Sequence, residues 1–167
     1  RSTMLKFRST LLAAALASAF ASGPAAAQFS NMYFFGDSAT DAGSYKPVLP
    51  PGTGRFTTNP GEVWAQMLGT RYGFAITPAN QGGTNYAQGG ARVTQSPGYP
   101  PQPPTASAVP VATQVSQAVA KGIDGNALYT IEATYNDIFT QISLLQAGQI
   151  TAAKLQAKVA LATTQHT

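Results

Sequence analysis

The sequence predicts an α/β architecture, a parallel sheet with helices on its faces. Three observations lead there. Short apolar runs rich in aromatic residues alternate with stretches whose apolar residues recur at helical spacing. The first of these runs feeds directly into Gly36-Asp37, a turn signal. No internal repeat is visible, and cysteine is absent, so no disulfide framework offers another class.

Taken in order, residues 29–35 form the first strand candidate and run into the turn. Residues 45–61 are rich in Pro, Gly and Thr and predict a loop. A helix follows over 62–68, where Val63, Trp64, Met67 and Leu68 share a face, with Asn59 as candidate cap and Pro60 near the first turn. Asn85-Tyr86-Ala87 is a second strand candidate ending at Gly89-Gly90. Six prolines between 96 and 110 predict an extended surface excursion. An amphipathic helix over 111–121 stops at Gly122, and 127–131 is a third strand candidate. Two helices close the chain, over 137–147 and 151–163, the second capped by Thr151. Three strands are few for a sheet of this kind, and the expectation is a domain incomplete at its C-terminus.

The first residues belong to a different argument. Met4, Lys6 and Arg8 make a short basic start, an apolar stretch runs from 11 to 20, and Ala25-Ala26-Ala27 follows. This is the layout of a secretory signal peptide over 1–27, with Arg1-Ser2-Thr3 as an upstream remnant. The apolar core is about half of the roughly 20 residues that span a bilayer, which argues against an anchor. Three of the ten basic residues precede residue 28, leaving seven against six acidic ones, a net charge of +1 for residues 28–167. The basic balance thus sits in the leader and gives no argument for nucleic acid. Without cysteine, thiol chemistry and thiolate metal sites are excluded, and one histidine, His166, argues against a His-based metal site.

The chemical candidates begin with Ser38. A serine at a strand-to-loop turn can present its hydroxyl above the sheet edge, where open α/β folds bind ligands. Gly-Asp-Ser alone is weak, because composition yields it in roughly one chain in thirty of this length. Standing alone, Gly89-Gly90 reads as a plain turn and Asn136-Asp137 as a helix cap.

Context raises all three. Residues 33–43 (YFFGDSATDAG) resemble the first signature block of the GDSL, or SGNH, hydrolase family, with Ala39 where leucine is usual. Residues 54–59 (GRFTTN) with Trp64 are similar to the family's G-R-F-[ST]-[DN] stretch. Residues 85–91 (NYAQGGA) are similar to its second block, and 135–139 (YNDIF) to the end of its third. The matches keep the family order across residues 31–139. The leader and the Gly/Ala/Gln-rich style further resemble the bacterial autotransporter subgroup.

The resemblance implies a three-layer α/β/α flavodoxin-like fold, with residues 28–167 as the N-terminal part of the hydrolase domain. It implies a secreted or outer-membrane serine esterase or lipase. Ser38 would be the nucleophile. Gly90 would give a backbone N–H and Asn136 its side-chain amide to the oxyanion, with Gly89 as the neighbouring choice for the backbone donor. The implied partner is a small-molecule or lipid ester, with no cofactor and no metal, and a β-barrel would follow in the full-length parent. Two departures stand out. Thr134 occupies a position where the family prefers glycine, which predicts strain if the backbone there has φ > 0. The D-x-x-H block that supplies base and orienting acid is missing, and His166 is expected to face solvent on a helix tail. The alternative function is a non-catalytic exported binding or surface module on the same scaffold, and an unrelated exported α/β binding protein would be a third.

Overall fold

The computed structural model describes residues 29–57 and 61–166, with the side chains of 162, 163, 165 and 166 excepted. The expectations for the leader and for Asn59 and Pro60 fall outside the described residues, as does that for the His166 side chain.

Strand β1, Met32–Phe35, is covered on both faces. Met32 and Phe34 pack with Val63, Ala65 and Ile76, while Phe35 packs with Tyr86, Ala91, Val93 and Val111. Side chains alternate along a strand, so a run that is apolar at every position fits two buried faces, the habit of parallel sheets. Strand β2, Leu128–Ile131, lies parallel to β1 in the register Met32↔Leu128 to Phe35↔Ile131. The α/β expectation is met by this parallel pair and its helices.

The third expected strand shrinks to a bridge. Asn85 pairs with Phe34 and Pro78, held by Phe34 N–H to Thr84 O at 3.2 Å and Tyr86 N–H to Phe34 O at 2.7 Å. Gly82-Gly83 and Gly89-Gly90 turn the chain on either side, so too few residues remain for a ladder.

Among the described residues there are four helices, of which the first two pack against the pair. Helix α1, Trp64–Arg71, starts two residues later than expected, and the N–H of Val63 donates to Oε1 of Gln66 at 3.4 Å. Helix α2, Val111–Ala120, stops before Gly122, whose φ is 105°. Helix α3, Tyr135–Gln146, packs against α4, Ala152–His166. Thr151 caps α4 by accepting the N–H of Lys154 at 3.3 Å. Among the described residues no helix is long and apolar enough to cross a membrane.

The proline-rich stretch departs most from expectation. It folds back on the domain instead of running out as an extended excursion. The Thr105 hydroxyl donates to the carbonyls of Pro100 at 2.6 Å and Gln102 at 2.8 Å, and Thr105–Ser107 forms a 3-10 turn. Proline composition excludes regular structure but leaves such side-chain-tied turns open.

Candidate active site

Ser38 sits on a turn at the end of β1. The N–H groups of Thr40 and Asp41 both donate to the Asp37 carbonyl, at 3.1 and 2.9 Å, which bends the chain around Ser38. Gly36 allows this turn to lie against β2, since a Cβ added there would stand 2.7 Å from the Glu132 carbonyl oxygen. Gln114 of α2, fully buried, fixes Gly36 from the other side. Its Oε1 accepts the Gly36 N–H at 2.9 Å, and its Nε2 donates to the Gly36 carbonyl at 3.0 Å. The Ser38 hydroxyl is half-buried and has no hydrogen-bond partner among the described residues.

Asp41 ties this turn to the double glycine. Its Oδ1 accepts the N–H groups of Gly43 and Ser44 at 2.8 and 2.6 Å, and its Oδ2 accepts the Ser44 hydroxyl at 2.6 Å and the Gly89 N–H at 2.9 Å. Gly89 is further held through its carbonyl, which accepts the Tyr45 hydroxyl at 2.8 Å. Burial and the nearby Asp41 carboxylate push that hydroxyl up, so Tyr45 stays a neutral donor. The two glycines thereby differ. The Gly89 N–H is occupied, whereas the Gly90 N–H has no partner among the described residues.

Asn136 and Asp137 open helix α3. Asp137 Oδ1 pairs with Arg92 Nε at 3.1 Å, and its Oδ2 accepts the Val93 N–H at 2.8 Å, docking the helix start against 91–93. Asn136 Nδ2 donates to Ala91 O at 2.9 Å and to Asp37 Oδ2 at 3.2 Å. An amide nitrogen carries two hydrogens, so both are engaged with the protein. Thr134, immediately before the helix, has φ 99° and ψ −30°, the one positive φ of a non-glycine residue among those described. The strain expected from the sequence is present in the backbone.

The carboxyl of Asp37 is the unusual titrating group. Burial first, and then the Glu132 carboxylate beside it, push it up to about 7. Asp137 adds to the rise, and the Ala39 N–H on Oδ1 at 3.1 Å opposes it. Among the described residues no three His, Cys, Asp or Glu side chains gather where they could hold a metal ion.

Ser38, Gly89, Gly90 and Asn136 all line one cavity of about 480 Å³. The sequence model of the GDSL-like lipase/acylhydrolase family matches residues 32–165, which contain every element of this cavity. The chain belongs to that family. Comparison with curated proteins and with solved structures returned no match. As a GDSL-like acylhydrolase domain the chain has an α/β fold and belongs to a family of hydrolases, and its cavity draws residues from three separate stretches of the match. Sequence reasoning missed the anchoring residues of this GDSL-like site. In the sequence Gln114 is only a position on an amphipathic helix and Asp41 only a motif letter, because the Gly36 and Gly89 backbone groups they hold lie far along the chain.

Proposed function

We propose that this domain attacks carboxylic esters through Ser38, on the three-layer flavodoxin-like SGNH scaffold. The Ser38 Oγ–carbon bond would form and the ester C–O bond break, the serine proton ending on the departing oxygen to give the alcohol; water would then cleave the acyl-serine to the acid and restore the hydroxyl. The observation that carries this is the unpartnered Gly90 N–H in the cavity that also holds Ser38. Acyl transfer puts negative charge on the carbonyl oxygen, and a preformed donor there stabilises it without reorganisation. Asn136 lines the same cavity and would be the second donor, on exchanging its bond to Asp37 or Ala91 for one to the substrate.

A second reading, an exported binding module, draws on the same geometry. No base is hydrogen-bonded to Ser38 among the described residues, and both Asn136 hydrogens are engaged. The chain carries no D-x-x-H block, so on the esterase reading its 167 residues turn over esters negligibly unaided. In a polypeptide joining this chain to such a block, Ser38→Ala should lower kcat on p-nitrophenyl butyrate by several orders of magnitude. Turnover that survives the change would exclude Ser38 as nucleophile. Export through the leader, and an autotransporter-like place at the cell surface, belong to the same proposal. They rest on the basic, apolar and small-residue order of residues 4–27. Exported protein should begin at Gln28, and an intact leader found by mass spectrometry would exclude cleavage there.

A further inference from the structure

The proline-rich stretch does more than cover surface, because it is bolted to both polar sides of the cavity. The Tyr99 N–H donates to the Gly90 carbonyl at 2.9 Å. The Tyr99 hydroxyl lies 3.1 Å from Ser143 Oγ on α3, and its ring stands 5.9 Å from that of Phe139. At the far end, the Val109 N–H donates to Gln88 Oε1 at 2.9 Å. The fit is tight. A Cβ on Gly90, whose φ is 86°, would fall 2.6 Å from the Tyr99 carbonyl oxygen and 2.7 Å from Thr105 Cβ. The glycine beside the nucleophile is therefore required by this loop as well as by backbone conformation.

Tyr99, Pro100 and Thr105 line the same cavity as Ser38, and Phe139 of α3 lines it beside Tyr99. Among the described residues no Lys, Arg or His lines it, and Asp37 is the one acidic group that does. An anionic acyl group would lose its hydration there and gain no counter-charge, whereas an apolar one gains by burial.

We infer that residues 97–108 form the specificity wall of the cavity, and that Tyr99 with Phe139 restricts it to neutral esters with short apolar acyl groups. The inference builds on Ser38 as nucleophile, which sets the carbonyl end of the ligand. The ring pair is the stop against which the chain end abuts. A pocket of this kind discriminates by length, because each buried methylene contributes about 0.8 kcal/mol, or about fourfold in affinity, until the wall is reached.

The test uses the full chain with Ser38→Ala, so that no hemiketal with the serine intrudes, and butanone, hexanone and octanone as neutral carbonyl probes. Dissociation constants come from NMR shift titration. Affinity should rise about fourfold per methylene to hexanone and then level off, while hexanoate binds at least about tenfold more weakly than hexanone. Tyr99→Ala, and separately Phe139→Ala, should let the rise continue, so that octanone gains about tenfold. Tyr99→Phe, which keeps the ring, should retain the cutoff. Phe139→Ala decides the matter alone if the Tyr99→Ala chain fails to fold. Octanone continuing the rise in the parent chain, or a cutoff unmoved by the alanine changes, would overturn the wall. Because ketone binding is read without turnover, a persistent cutoff alongside an active Ser38→Ala enzyme would refute the nucleophile and leave the wall standing.

Discussion

The two sides of the cavity are held in different ways. On the Ser38 and Gly89-Gly90 side, the buried Gln114 amide and the buried carboxyls of Asp37 and Asp41 take up the backbone N–H groups of Gly36, Ala39, Gly43, Ser44 and Gly89. On the Asn136 side, the helix start follows a strained threonine, and the amide is bonded to Asp37, whose carboxyl burial and then Glu132 push up to about 7. The Ser38 side is held by satisfied hydrogen bonds, and the Asn136 side carries a strained backbone next to a carboxyl that titrates near 7. Preorganisation is what electrostatic stabilisation of acyl transfer requires. The weaker side is therefore where the geometry has room to improve.

Three substitutions probe that contrast. The largest effect should come from Asp41→Ala. It leaves the N–H groups of Gly43, Ser44 and Gly89 without their acceptor, and each orphaned buried donor costs about 1–3 kcal/mol. A loss of about 3–5 kcal/mol is expected from urea unfolding, with the m-value unchanged. A loss under about 1 kcal/mol would show that Asp41 does not hold the two segments together.

Next comes pH. Asp37 titrates near 7 in the folded chain against 3.8 for the free side chain, so the folded state keeps a proton that the unfolded state releases. Stability should therefore fall as pH rises from about 4 to about 7, by at most a few kcal/mol, and the loss should be complete above that window. The groups facing it are Glu132, Asp137 and the Asn136 amide. Asp37→Asn should flatten the curve, and an unchanged slope in that variant would assign the dependence to another group.

The smallest effect is expected at Thr134. A non-glycine residue at φ 99° stores about 1–3 kcal/mol, and glycine would relieve this at a cost of about 0.4–1 kcal/mol in unfolded-state entropy. Thr134→Gly should raise stability by about 1 kcal/mol and, if Asn136 relaxes toward the cavity, raise kcat in the polypeptide with a D-x-x-H block. A lower melting temperature with unchanged kcat would mean that the threonine fits its backbone.

Much of this was legible in the sequence because it is local. Hydrophobic runs located β1 and β2, glycine marked the end of α2, and a threonine placed where glycine is expected foretold the left-handed backbone. The readings that failed depended on partners far along the chain. Asn85 has strand-like neighbours but meets Phe34 at one position only. Tyr99 and Thr105 carry no signal that they fold onto Gly90, since proline content speaks to what a segment cannot form and not to what it touches. Asp41 could be named by resemblance, yet its grip on Gly89, across 48 positions, had no trace in periodicity.

The hold of Gln114 on Gly36 has a consequence for the order in which the site comes into being. The two residues are 78 positions apart, so a chain emerging N-terminus first displays Ser38 long before the side chain that closes its turn exists. Until then both polar groups of the Gly36 backbone must find water or another partner. Long-range closure of this kind comes at an entropic cost met only when the intervening chain has collapsed around it. The corner that carries Ser38 is thus a late product of folding, its turn closed only once Gln114, 78 positions further on, has joined it.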